Sequence, residues 1–407
     1  MPKFLRAARL PLLGLLLATA ALAEDVENPP VFKASAVLGA AAQGPGYRVE
    51  NRVGSDGYLR IYDVETPWGV LAVHGDAMMA MRVKEISALN AMERTAASKE
   101  FGDALVRAGL KPVEFAGKLV TDPAGTVKST VTGVGRLFNS IGSSIRNAGK
   151  TQESAAAGIT GAAKQRRLIA YNYGIDPYTD WPPLKERLDQ LSRAAAAGGL
   201  AVTGAFILIP GAAGTVISNV AGAETLNQMV RDYSAAELMD MNRKELRRMG
   251  ASADATEAFL TNPSYTPTDA TAITGVLAGM GQIRNVDALL FRASEAANRD
   301  QAYFLRRRVE LMGAQQLAAG DITGFVSLDG VPFPMATTRD GGLTGLFPLD
   351  ALSWTAETSQ AITALTAATR AAGFQGPLSL GITGTATPLA EKEVAKLGWT
   401  LAQKLGR

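Results

Sequence analysis

The chain has 407 residues, with 41 Lys and Arg against 38 Asp and Glu, a single histidine and no cysteine. Lack of cysteine excludes a disulfide framework, a thiol nucleophile and thiolate metal sites, and His74 alone cannot make a histidine-rich metal centre. Three of the cations, Lys3, Arg6 and Arg9, fall in the first 23 residues, so the remainder carries 38 charges of each sign and no basic footprint for nucleic acid.

Those three cations, the apolar core from Leu10 to Ala20 and the Ala21-Leu22-Ala23 exit form the tripartite pattern of a secretory signal peptide over residues 1–23. Export to the periplasm is therefore expected, with a mature terminus at Glu24. Residues 24–46 are rich in Pro, Ala and Gly without a sustained period, which predicts a flexible arm.

From Tyr47 the hydrophobic period is two. Runs at Tyr47–Val53, Tyr58–Glu65 and Val70–Gly75, divided by GSDG and TPWG, predict a small antiparallel meander. Asp76 then caps a helix with Met79, Val83, Ile86, Leu89 and Met92 on one stripe, completing a unit over residues 47–110. Met78, Met79, Met81 and Met92 follow core spacing rather than a metal-ligand pattern. His74, at the far edge of an apolar run, reads as a strand-end imidazole, and no G-x-S-x-G accompanies it.

Helix signals dominate residues 111–320. Over 125–149, Val127, Val131, Val134, Phe138, Ile141 and Ile145 form an apolar stripe weakened by Gly125, Gly133, Gly135, Gly142 and Gly149. Lys128, Arg136 and Arg146 restrict any membrane role of this segment to surface insertion. Asp176 and Asp180 flank Tyr178 but lack the remaining ligands of a calcium loop, so an Asx-turn and a helix-start carboxylate are expected. Ala194 to Ala223 is thirty residues without a charge, sixteen of them Ala or Gly. As one helix it would reach about 45 Å across a hydrocarbon core of about 30 Å, but Pro210 divides it. The preferred reading is a buried Ala/Gly-rich hairpin of a central helical bundle, built on Leu200, Phe206, Ile207, Leu208, Ile209, Val216 and Ile217. The alternative is an inner-membrane anchor through 194–223. Arg243, Lys244, Arg247 and Arg248 suit the C-terminal end of a helix capped by Gly250, and Asn285 opens a helix running to Gly320.

At Asp321 the period returns to two. Ile322–Leu328 and Val331–Thr338, joined by Asp329-Gly330, predict a hairpin, and Arg339 to Gly342 turns the chain again. Helix, strand and helix follow, so residues 321–407 are expected to form a small α/β domain. Between a strand end and a helix start, Gly384, Thr385 and Thr387 could hold an anion or carboxylate on their backbone N–H groups, although the stretch matches no phosphate-binding fingerprint.

The fold class expected is α+β, mostly helical. The function expected is an exported, non-enzymatic binding or interaction protein of the cell envelope, without metal or cofactor and without nucleic acid, its partner another envelope protein or a membrane surface. One alternative is a membrane-inserting protein using 125–149 and 194–223. The other is a carboxylate-based hydrolase drawing on Asp321, Asp329, Asp340 or Asp350, none of which sequence spacing can place across a cleft.

Overall fold

The computed structural model describes residues 26–96, 157–197 and 223–406, and elements are numbered in chain order within those residues. The expected leader, the expected stripe over 125–149 and the interior of the uncharged run, with Leu200, Phe206, Ile207, Leu208, Ile209, Val216 and Ile217, lie outside them. The fold is α+β, with an antiparallel N-terminal sheet, a helical middle and a second sheet at the C-terminal end. No described helix is long and apolar enough to cross a membrane.

The expected meander is present. β3 (Tyr47–Val49) and β4 (Arg52–Ser55) together run along one edge of β5 (Arg60–Thr66), and β6 (Gly69–His74) runs along the other. Alternation places Tyr62, Val64 and Val73 inward. Helix α2 (Asp76–Ala96) covers that face with Met79, Ile86, Leu89 and Met92, while Val83 is half-buried.

The stretch expected as a flexible arm is instead part of this sheet from Phe32 onward. β1 (Phe32–Lys33) pairs with β4, helix α1 (Ala34–Leu38) follows, and β2 (Gln43–Gly44) pairs with β3. Neither strand has a readable period because each is only two residues long. Their order comes from partners elsewhere in the chain.

The helical middle divides between two cores. α3 (Ala157–Tyr173) and α4 (Pro182–Ala196) join the N-terminal sheet through Ile169, Tyr173, Trp181, Leu184, Leu188 and Leu191. Ala194 and Ala195, the first residues of the uncharged run, are buried there as the last turn of α4. The second core begins with α5 (Ala223–Asp232), α6 (Ala235–Arg248), α7 (Ala253–Leu260) and α8 (Pro267–Gly279). α9 (Val286–Ser294) and α10 (Arg299–Ala319) complete it. Capping boxes at Ser234 with Glu237 and Thr266 with Asp269 satisfy N-terminal N–H groups.

The helix expected from Asn285 to Gly320 is broken at residues 295–298. Asn262 Nδ2 donates to the carbonyls of Ser294 (2.8 Å) and Ala296 (3.0 Å), and the Asn298 side chain accepts from Gln301 N to start α10. Side chains from another loop thus take the carbonyls that a continuous helix would have used.

The C-terminal sheet has the order β13-β11-β9-β8-β7. β7 (Ile322–Val326), β8 (Met335–Thr338) and β9 (Leu343–Phe347) are antiparallel in succession, as expected. The loop around Asp329-Gly330 is longer than a tight hairpin turn, because Pro332 and Pro334 lack the N–H needed for the ladder and β8 starts only at Met335. β11 (Leu378–Ile382) and β13 (Thr400–Ala402) add in parallel after crossovers through α11 (Ala356–Ala371) and α12 (Pro388–Lys396). Leu346 and Phe325 face the helical core, whereas Leu343, Leu380 and Ile382 face the opposite cluster with Ile362 and Val394. A two-strand parallel pair, β10 (Ala351–Leu352) with β12 (Thr385–Ala386), sits at one end.

Candidate functional site

The Gly384 turn is the first place where a ligand was expected, and its N–H groups are occupied. Gly384 N donates to Leu349 O at 2.7 Å, Thr385 N to Asp350 O at 3.2 Å and Thr387 N to Leu352 O at 2.9 Å. Packing is so close that a Cβ on Gly384 would stand 1.8 Å from Asp350 O. A carboxylate does stand at the start of α12, but it belongs to the chain: Glu27 Oε1 accepts from the Thr387 hydroxyl and from Trp354 N. Glu27 N donates in turn to Trp354 O. The backbone N–H groups expected to hold an anion thus donate to carbonyls of the chain, and the carboxylate at this helix end is held by the Thr387 hydroxyl and Trp354 N instead.

The four carboxylates of the hydrolase alternative occupy separate settings. Asp340 accepts from Thr338 Oγ1 and Gly342 N inside its turn, and the hydrogen bonds hold its carboxyl below the usual range. Asp329 lies in the β7–β8 loop, and Asp321 just before β7 has a buried Oδ1 without a hydrogen-bond partner. Asp350 is different. It is 4% exposed, and its Oδ2 accepts from the backbone N–H groups of Arg60 and Asp76, both at 3.0 Å.

Around Asp350 the two sheets are joined. Asp350 N donates to Tyr58 O and Ser353 N to Gly57 O, each at 3.0 Å, carrying the turn before β5 onto the residues flanking β10. Asp76 Oδ1 accepts from the Tyr62 hydroxyl and Oδ2 from Arg60 Nη1, both at 2.5 Å, and Arg60 also lies over the Phe32 ring. Burial, and next the nearby Asp76 charge, push the Asp350 carboxyl up to about 7, against the opposing pull of its two N–H donors. Tyr62 is raised as well, by burial first and then by Asp76. A buried carboxylate with one oxygen saturated by backbone donors is a joint between units rather than a group facing substrate.

Other charged residues singled out in the sequence are similarly engaged. Asp176 Oδ1 accepts from Tyr178 N at 2.9 Å, the expected Asx-turn, and also from Thr268 Oγ1, whereas Asp180 pairs with Arg82. Arg243 pairs with Glu257 and Asp240 and Arg248 with Glu245, so these members of the basic cluster are bound to acids of the same surface. Arg308 was not singled out. It is 1% exposed, donates to the carbonyls of Leu346 and Pro334, and lies beside Phe333 and Phe347, and burial lowers it to about 9.

Open backbone groups occur on the opposite flank of the meander. Among the described residues, β6 pairs only with β5. Gly75 N donates to Arg60 O, and this sets the phase of the antiparallel ladder: Gly69, Leu71 and Val73 turn their N–H and C=O groups toward β5. Glu50 N reaches Asp63 O from the far side of β5, in agreement with that phase. Val70, Ala72 and His74 therefore aim their backbone groups away from the sheet, and their side chains are exposed, Val70 to 67%. His74 is thus at a strand end, as expected, and belongs to an edge. The run from Val70 to His74 carries no charge and no proline, two of the devices that blunt an edge strand. Neither a protein-family model, nor a curated protein, nor a solved structure matches the chain.

Proposed function

We propose that the protein is an exported, non-enzymatic interaction protein of the cell envelope that engages its partner by strand addition along β6. The single observation that carries this reading is the uncovered, uncharged edge from Val70 to His74, whose outward N–H and C=O groups have no partner among the described residues. Main-chain hydrogen bonds to such an edge supply affinity, and the exposed side chains supply selectivity. The leader over residues 1–23 supports the location. The carboxylate alternative receives less support, since Asp340 is held in its turn and Asp350 in the joint between sheets.

Two measurements test the proposal together. N-terminal sequencing of the protein from an envelope fraction should begin at Glu24, and an intact Met1 in the cytosol contradicts export. Amide exchange at Val70, Ala72 and His74 should be fast in the free protein and slow when a partner is bound. Slow exchange in the isolated monomer means that the chain covers its own edge, which contradicts the docking site.

A further inference from the structure

The other sheet edges show how unusual β6 is in this molecule. On the opposite side of the N-terminal sheet, β1 and β2 are two residues each, too short to template another strand. β7 carries an irregularity between Ile322 and Gly324 and is covered by Arg284, which accepts from Phe325 N and donates to Thr323 O. β13 is three residues long and ends beside Lys404, whose φ of 58° stops the extended run. Among the described residues, β6 has none of these protections over its six residues.

We infer that the strand added to β6 is β6 of a second copy, paired antiparallel about a two-fold axis at Ala72. This rests on the strand-addition reading above and names its partner. In that register Ala72 faces Ala72 of the other copy, and Val70 faces its His74 in both directions. All three are outward-facing residues, so every outward N–H and C=O of one strand meets its complement, giving about six hydrogen bonds with none left over. A one-residue shift would set outward groups against inward ones and lose them.

Charge does not oppose the pairing. β6 carries no charged side chain, and the nearest acids on the exposed face are Asp63 and Glu65 on β5, opposite Ala72 and Val70. Across the two-fold, Asp63 and its copy stand three strand spacings apart, about 14 Å. That exceeds the screening length of about 8 Å at physiological salt. The neutral edge carries no charge pattern that would select an acidic or basic partner, whereas a copy of itself matches it in length, polarity and register. An isologous contact of this kind closes after two subunits and so does not propagate into fibres.

Sedimentation equilibrium of the purified full chain over a concentration series tests the inference, read together with amide exchange at Val70, Ala72 and His74. A dimer is expected, with those three amides protected in proportion to the dimer fraction. Ala72→Pro removes the central outward N–H while leaving the bonds to β5, and should weaken association at least tenfold with unchanged circular dichroism. Ala72→Thr keeps the N–H and should keep the dimer. If the proline variant fails to fold, Val70→Lys should produce the same weakening through edge charge. A dimer indifferent to both edge variants forms elsewhere and overturns the inference. A monomer at every concentration with fast amides overturns the second copy but leaves the open edge standing, and a monomer with slow amides overturns the edge itself.

Discussion

The turn from Gly384 to Thr387 and the strand from Gly69 to His74 both present backbone N–H groups at the border of a sheet, and the difference between them is what lies within reach. At the turn, the carbonyls of Leu349, Asp350 and Leu352 and the carboxylate of Glu27 meet the donors. At the strand, β5 satisfies alternate residues, and the others meet no partner among the described residues. The donors of the turn are met by the chain itself, while the outward groups of the strand have no partner among the described residues. Local sequence chemistry identifies donors; only tertiary neighbours decide whether they remain available.

The sharpest way to break this comparison is Gly384→Ala. With a Cβ placed 1.8 Å from Asp350 O, the backbone of β12 must move away from β10, and the relief cannot come from a flexible side chain. A loss of about 3 kcal/mol or more is expected, seen as a lower denaturant midpoint. A variant as stable as the parent would mean that the turn is not packed as described, and would restore it as a ligand loop.

Asp350→Asn probes the joint next to that turn, where pH is the readout. A carboxyl raised from 3.8 to about 7 in the folded state binds more protons than in the unfolded chain between those values, so the stability present below pH 4 falls as pH rises to about 7. The full fall amounts to about 4 kcal/mol as an upper bound. Asparagine retains an oxygen that can accept from Arg60 N and Asp76 N but removes the charge beside Asp76. Its stability should therefore vary much less between pH 4 and 7 and should match or exceed the parent at pH 8. Parallel stability curves for both proteins would show that Asp350 does not titrate in the joint.

The sequence was informative wherever burial is one-sided. Period-two runs announced β5 and β6, and the stripe from Met79 to Met92 announced the helix beneath them, because half-buried elements alternate in polarity. The start of that helix was legible at Asp76, although its carboxylate accepts from the Tyr62 hydroxyl and Arg60. The arm was not legible, since Glu27 meets Trp354 and Thr387 more than three hundred residues away. Asp350 resembled Asp329 and Asp340 in the sequence, and only the approach of Arg60 N and Asp76 N sets it apart. Nor does a strand's own pattern say whether it lies at an edge. Val70 to His74 would read the same with a neighbour on both sides.

Glu27→Gln measures how firmly the arm fills the turn. The carboxylate accepts from Trp354 N and the Thr387 hydroxyl at the start of α12, where a negative charge is favoured by the helix dipole. Glutamine keeps one acceptor oxygen and loses the charge, so a stability loss of about 1 kcal/mol is expected, reduced further by salt. A change below the noise of the melt would show that the hydrogen bonds, not the charge, hold the arm.

The smallest effect on the fold is expected at the open strand, and its smallness is the point. Val70 is 67% exposed, its backbone N–H and C=O face outward, and it takes no part in the core beneath the meander. Val70→Lys adds a charged, flexible side chain to a surface position, and substitutions at such positions usually change stability by no more than about 0.5 kcal/mol. The same charge on an edge strand opposes pairing with another edge, because the incoming strand would have to desolvate it or place it beside the second copy's His74. Denaturant unfolding at low protein concentration, where the monomer is measured, should therefore hardly distinguish the variant from the parent. At high concentration the two should diverge, since association stabilises only the parent by mass action. A loss of 2 kcal/mol or more in the monomer itself would place Val70 under cover and remove the contrast between the strand and the turn.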